Sequence, residues 1–209
     1  MVKKRRTARD SGAALLRAAA QEFADRGYDA ARVDRIAARA RVNKAMLYYH
    51  YGSKQSLYLA VLREMFTSVG ARARAIADGD AGAAAKIDAW VEAVVSEAAA
   101  RPWFPPIMLR EIAGGATHFD PDTFAMMNAI YRAVHDIIVA GQRQGEFVAA
   151  DPLLIHLTIM PAILIFFARA RVIASRRATQ GVTTPRTVDA FTRHMQRSAR
   201  RMLGADGPA

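Results

Sequence analysis

Apolar residues recur along this chain at the spacing of an α-helix, and no stretch alternates apolar with polar for long enough to argue a strand. That periodicity confines the chain to all-α architectures. Leu16, Ala19, Ala20 and Phe23 form a first stripe, and Gly27 follows where a left-handed residue can stop a helix. A short second helix is expected over residues 33–40, and a third from the N-cap Asn43 to Tyr51. Gly52 breaks that helix and Ser53 caps a long fourth, striped by Tyr58, Val61, Leu62, Met65 and Val69 over residues 54–76. Ile87, Val91, Val94 and Ala98 mark a fifth, with Pro102, Pro105 and Pro106 punctuating its end and a short helix expected near 107–113. Asp120-Pro121, Asp151-Pro152 and Thr184-Pro185 each set a capping side chain before a proline at the first helical position, so three later helices should begin there.

Residues 153–168 are the most apolar run, interrupted by His156, Thr158 and Pro161. A bilayer requires about 20 apolar residues, so an interface helix is expected and no membrane contact. Residues 153–174 and 185–203 are expected to pair with their symmetry mates in a homodimer, with Leu164 and Phe191 in the contact.

Charge divides the chain unevenly. Residues 1–60 hold 13 Lys and Arg against five acids, so most of the net +11 sits in that segment. A basic head on a nearly neutral body is the footprint of a nucleic-acid contact, because cations that neutralise phosphates release counterions. Lys3, Lys4, Arg5, Arg6 and Arg9 make a basic arm over residues 1–10, which reads either as a weakly held tail or as a reach into a minor groove. The absence of cysteine removes disulfides and thiolate chemistry and fits a cytoplasmic location.

Residues 33–51 have the layout of a helix-turn-helix, with Ile36, Ala37, Ala40, Val42 and Leu47 placed to pack between two short helices. The first turn of the second helix offers Asn43, Lys44 and Ala45, followed by Tyr48, Tyr49 and His50. Such groups at a helix start can meet base edges and phosphates in a major groove. For Tyr49 and Tyr51, packing in the core is the stronger alternative.

Ala18, Ala19, Phe23, Gly27-Tyr28, Val33, Ile36-Ala37, Ala40, Val42, Leu47-Tyr48, His50-Tyr51, Ser53-Lys54 and Leu57 together resemble the DNA-binding head of TetR-family transcriptional regulators. The resemblance covers the first quarter of the chain. It implies a three-helix head (residues 1–53) joined through a long fourth helix to a helical dimerisation and ligand-binding body (residues 54–209). It also implies base contacts by Lys44 and Tyr48 with Asn43 and Ala45 beside them, and phosphate contacts by Tyr48, His50 and Lys54. Two positions depart from the family pattern. Ala31 and Arg32 stand where Thr or Ser is common, losing a cap but making Arg32 a possible phosphate cation, and Arg41 replaces the usual turn glycine.

The implied function is sequence-specific transcriptional regulation, expected as ligand-responsive repression, with double-stranded operator DNA, a second copy of the chain and a small-molecule effector as partners. The fourth helix is the expected lever between effector and DNA. Trp90, Trp103, Phe104, Phe124, Met127, Tyr131, His135 and Phe166 are candidate lining for an apolar effector pocket. The rival readings are a sequence-independent nucleoid-type binder, which would not need so large an apolar body, and an all-helical enzyme. The sequence carries no Walker loop, dinucleotide fingerprint, HExxH or GxSxG motif, so neither catalysis nor a cofactor or metal is expected.

Overall fold

A computed structural model describes residues 8–175 and 183–205, and among these the chain forms nine α-helices and no strand. They are α1 (Ala8–Ala30), α2 (Val33–Ala40), α3 (Lys44–Tyr51), α4 (Lys54–Asp78), α5 (Ala83–Ala100), α6 (Phe104–Ala113), α7 (Pro121–Arg143), α8 (Pro152–Ser175) and α9 (Pro185–Met202). The all-α expectation holds.

Capping chemistry sets several of these boundaries. Ser53 accepts from the Ser56 amide, Asp120 from Thr123 and Thr184 from Thr187, each satisfying a backbone donor that the helix start leaves unpaired. Asp151 does the same for Leu153 at 2.8 Å. Gly27 breaks α1 at φ 78°, ψ 170°, although a further helical turn carries the element to Ala30. One assignment needs correcting: Pro105 and Pro106 do not close α5 but sit in the first turn of α6, where their missing amides have no helical partner to lose.

Helices α1 to α3 pack around Leu15, Phe23, Ile36 and Leu47, all fully buried. The same apolar cluster continues along α4 through Leu57, Leu62 and Met65, and reaches Ile107 and Met108 of α6, Ile130 of α7 and Leu164 of α8. A second cluster surrounds Trp90 of α5 and draws on α7, α8 and α9. Helices α5 and α7 close together at Gly141, where a Cβ would fall 2.4 Å from the Phe147 ring and 2.7 Å from Ala83. Helix α9 is tied to α5 by Arg200, whose Nε donates to Asp88 at 3.0 Å.

Helix α8 shows two apolar faces. Ile155, Ile159, Ile163 and Phe167, four residues apart, are buried in the body, whereas Leu153, Leu154, Leu157 and Ile165 are exposed. Its segment Pro152–Ala170 spans 19 residues at a mean hydropathy of 2.0, enough by length and composition to cross a membrane. Run length therefore does not exclude a span as the sequence suggested; α8 packs on the body through one face, with 28% of that segment buried. Leu164 is also buried within the protomer, against the expectation that it would face a symmetry mate. The basic residues 3–6 lie outside the described residues.

Candidate nucleic-acid interface

The helix-turn-helix forms as the sequence requires. Ile36, Ala37 and Ala40 of α2 and Leu47 of α3 are buried between the helices. Arg41 takes the left-handed conformation (φ 55°, ψ 45°), its amide reaching the Ala37 and Ala38 carbonyls. An L-residue there costs about 1 kcal/mol, which the turn offsets by satisfying the last carbonyls of α2. Arg32 precedes α2 in extended conformation and makes no side-chain cap, so the departure at residues 31–32 does remove that hydrogen bond.

Helix α3 is held on one side and open on the other. Asn43 Oδ1 accepts from the Ala45 amide at 2.9 Å, which fixes the first turn. Asn43, Lys44 and Ala45 are exposed, Tyr48 is 47% exposed and Tyr49 75%. Tyr49 is therefore not a core residue: Leu47 takes the inward position, and two residues on, about 200° around the helix, the chain faces solvent. Tyr51 does pack inward, its hydroxyl donating to the Gly12 carbonyl at 2.9 Å. His50 is half-buried against α1, with Nε2 2.7 Å from Ser11 Oγ and Nδ1 only 3.4 Å from where a Cβ on Gly12 would stand.

Two lysines around this face are engaged within the protein. Lys44 Nζ lies 2.8 Å from Asp34 Oδ1, and that hydrogen bond holds the ammonium above its ordinary pKa. Lys54 Nζ donates to the Asp29 carbonyl at 3.2 Å and stands 4.5 Å over the Tyr28 ring. Arg32 is exposed. The structure thus gathers Asn43, Lys44, Ala45, Tyr48 and Tyr49 on the free face of α3, and puts His50 and Lys54 at its junctions with α1 and the Tyr28–Asp29 corner.

A cavity of about 120 Å³ lies in the body. Its wall comprises Met65, Phe66 and Val69 of α4, Val94, Glu97 and Ala98 of α5, Phe104, Met108 and Ile112 of α6, Met127 and Ile130 of α7, and His156 to Leu164 on one side of α8. Of the eight residues proposed from sequence, Phe104 and Met127 line it. Trp90 is instead fully buried behind His156, with ring centroids 6.1 Å apart, and Tyr131 packs on His156 at 5.2 Å. Phe166 stacks on Phe191 of α9 at 3.9 Å. Trp103 faces a groove beside Leu16 and Ala100, Phe124 is exposed, and His135 sits beside Asp136 at 3.3 Å on the outer side of α7. Helical spacing places a residue on a face but does not say which faces enclose a void. Glu97 and His156 were missed as lining; the available signal was a histidine and a proline inside the most apolar run. Among the described residues no group of three or more acidic or histidine side chains could hold a metal ion.

The family model described as bacterial regulatory proteins, tetR family, matches residues 15–61. The HTH-type transcriptional activator FasR of Mycolicibacterium smegmatis is 59% identical over 49 residues, 23% of this chain and 22% of that protein. The HTH-type transcriptional repressor SCO4008 of Streptomyces coelicolor is 34% identical over 90 residues, 43% of each chain. The matched stretches thus amount to about a fifth and under half of these relatives. The crystal structure of a tetR-family bacterial regulatory protein from Rhodococcus RHA1 superposes with a TM-score of 0.72 over 92% of this chain and 96% of its own, at 24% identity. That likeness extends the shared fold over the body.

Proposed function

Taking as premise that this chain belongs to the TetR family, we propose that it is a sequence-specific, ligand-responsive transcriptional regulator that binds operator DNA as a homodimer. The observation that carries this is the free face of α3, where an N-capped first turn presents Asn43, Lys44, Ala45 and Tyr48 outward while Leu47 anchors the helix. Lys44 and Tyr48 contact bases, with Tyr49 beside them. Arg32, Tyr48, His50 and Lys54 contact phosphate around the helix-turn-helix. The head comprises residues 1–53 and the body 54–209. The body's cavity takes a small-molecule effector, and release of DNA on binding makes the chain a cytoplasmic repressor.

Dimerisation uses α8 and α9. Leu153, Leu154, Leu157 and Ile165 leave on α8 an exposed apolar row that a second copy would cover. A dimer of this kind reads a near-palindrome with half-sites about one helical turn apart or slightly more.

The test compares the parent protein with Lys44→Ala and Tyr48→Phe on a footprinted operator and on random DNA across a salt titration. Both variants should keep helical content and dimer mass yet bind the operator more weakly, and removal of a phosphate contact should lower the salt slope by about one. Unchanged operator affinity in both would remove the recognition-helix assignment. Equal affinity for operator and random DNA would favour a nucleoid-type binder instead.

A further inference from the structure

The wall of the body cavity is chemically uneven. Almost all of it is aliphatic, aromatic or thioether, and only Glu97 and His156 bring polar side chains to it. The buried Glu97 carboxylate is already committed: Ser68 Oγ donates to it at 3.1 Å, Arg72 at 3.3 Å, and Arg101 pairs with its other oxygen. Neither guanidinium is part of the lining. The one formal charge on the wall is therefore negative, and no lining cation stands ready to receive an anionic group.

The α8 end differs. His156 Nδ1 is buried without a hydrogen-bond partner, and burial holds the ring's pKa down to about 4, so the imidazole is neutral at physiological pH. Beside it, the indole N–H of Trp90 is buried and also unpartnered. Pro161 lies inside α8 and has no amide to offer the Leu157 carbonyl one turn earlier, and both residues line the cavity. Buried polar groups without partners are costly, and two of them, His156 Nδ1 and the Trp90 indole N–H, lie side by side at the α8 end of an otherwise apolar cavity.

We propose that this cavity binds a neutral, largely apolar molecule carrying one hydroxyl-type group, seated with that group against His156, and that it rejects the carboxylate of the same chain length. The proposal rests on the reading of the body as an effector domain and names the chemical class of its ligand. A hydroxyl both donates and accepts, so it meets either tautomer of His156 and can also donate to the Leu157 carbonyl. A carboxylate would be stripped of water against a wall that offers it no cation, since Arg72 and Arg101 lie outside the lining and are already paired with Glu97.

Decanol and decanoate, equal in chain length, separate the possibilities when titrated at neutral pH into the full-length protein with tryptophan emission as readout. Decanol should bind at least about tenfold more tightly than decanoate, His156→Phe should weaken decanol about fivefold, and His156→Gln, which keeps a hydrogen-bonding group, should restore most of that loss. Decanoate binding as well as or better than decanol would overturn the proposal while leaving an effector cavity in place. Unchanged decanol affinity in a folded His156→Phe protein would overturn the role of His156. Binding of neither ligand would overturn the proposal while leaving an effector of another class open to the cavity. Selective decanol binding that leaves operator affinity untouched would uphold the proposal and overturn the effector reading, so the two fail separately.

Discussion

At the residue scale, single side chains hold conformations or charge states that their local environment resists, and each can be tested. Arg41 occupies the left-handed region at φ 55° in the turn between α2 and α3. Arg41→Gly should stabilise the protein by about 0.5 kcal/mol, the relieved strain partly offset by glycine's larger freedom when unfolded. Denaturant midpoints of the two proteins check this. His156 carries a second, pH-dependent effect. Its folded-state pKa, about 4, lies below the ordinary 6.5, so the unfolded chain takes up this proton first as pH falls. The neutral ring's contribution is therefore complete above pH 6.5 and declines until about pH 4, by up to roughly 3 kcal/mol. His156→Gln should flatten the parent's loss of stability across that window, and an unaltered slope would refute the assignment. Lys44 already has a partner, Asp34 at 2.8 Å, and the DNA contact proposed for it would compete with that carboxylate. The sequence singled out Lys44 as a candidate contact, but the carboxylate one helix away became visible only when α2 and α3 were folded together.

At the element scale, α8 carries most of what remains to be tested. Its buried stripe and its exposed row are both apolar, so the sequence pattern alone could not divide them. The division moves the disrupting substitutions outward. A charge at Leu164 would unfold the protomer, since that side chain is 4% exposed within it. Leu154→Glu with Ile165→Glu, both on exposed positions, should instead yield folded monomers in sedimentation, with operator affinity reduced by at least about a hundredfold as two half-sites are lost to separate molecules. A double variant that remains dimeric would locate the interface elsewhere. Helix α6 was expected to be short and begin near Ile107, yet it starts at Phe104 because Pro105 and Pro106 suit a first turn. That extra turn matters, since it brings Phe104 to the cavity wall.

At the scale of the whole molecule, two helices that line the cavity also pack against α1 to α3. Helix α4 runs from Lys54 to Asp78 and places Met65, Phe66 and Val69 on the cavity wall, as a lever between head and effector requires. Helix α6 is a second connection that the sequence did not reveal. Met108 and Ile112 face the cavity, while Arg110 donates to the Ala24 carbonyl of α1 at 2.8 Å and Glu111 accepts from Tyr58. His118 Nδ1, 2.9 Å from Glu111, and the tilted packing of its ring against Tyr28 at 4.3 Å extend this link to the corner before α2. If ligand and operator are coupled through these contacts, each must weaken the other by the same factor. Arg110→Ala should leave the separate affinities for ligand and operator within about twofold of the parent, yet reduce that mutual factor severalfold. Titration of ligand with and without operator measures it, and an unchanged factor would leave α4 as the sole lever.

The sequence by itself determined the helices, most of their starts and stops, and the buried residues of the head, because these depend on nearest neighbours along the chain. A capping side chain, a proline at the first position or a glycine at positive φ acts within one turn, and the spacing of Ile36, Ala37, Ala40 and Leu47 marks a packed face. The inward place of Leu47 and the outward place of Tyr48 follow from the same local geometry. What only the tertiary structure decided is where apolar faces enclose space and where they do not. Trp90 and Phe166 are as apolar as Phe104 and Met127, yet the first two fill contacts and the second two border a void, a difference set by how five helices meet. Tyr58, Ser68 and Arg72 of α4 bond Glu111 and Glu97 of other helices, and a helix reports its own periodicity but not the polar group that another helix will place beside it.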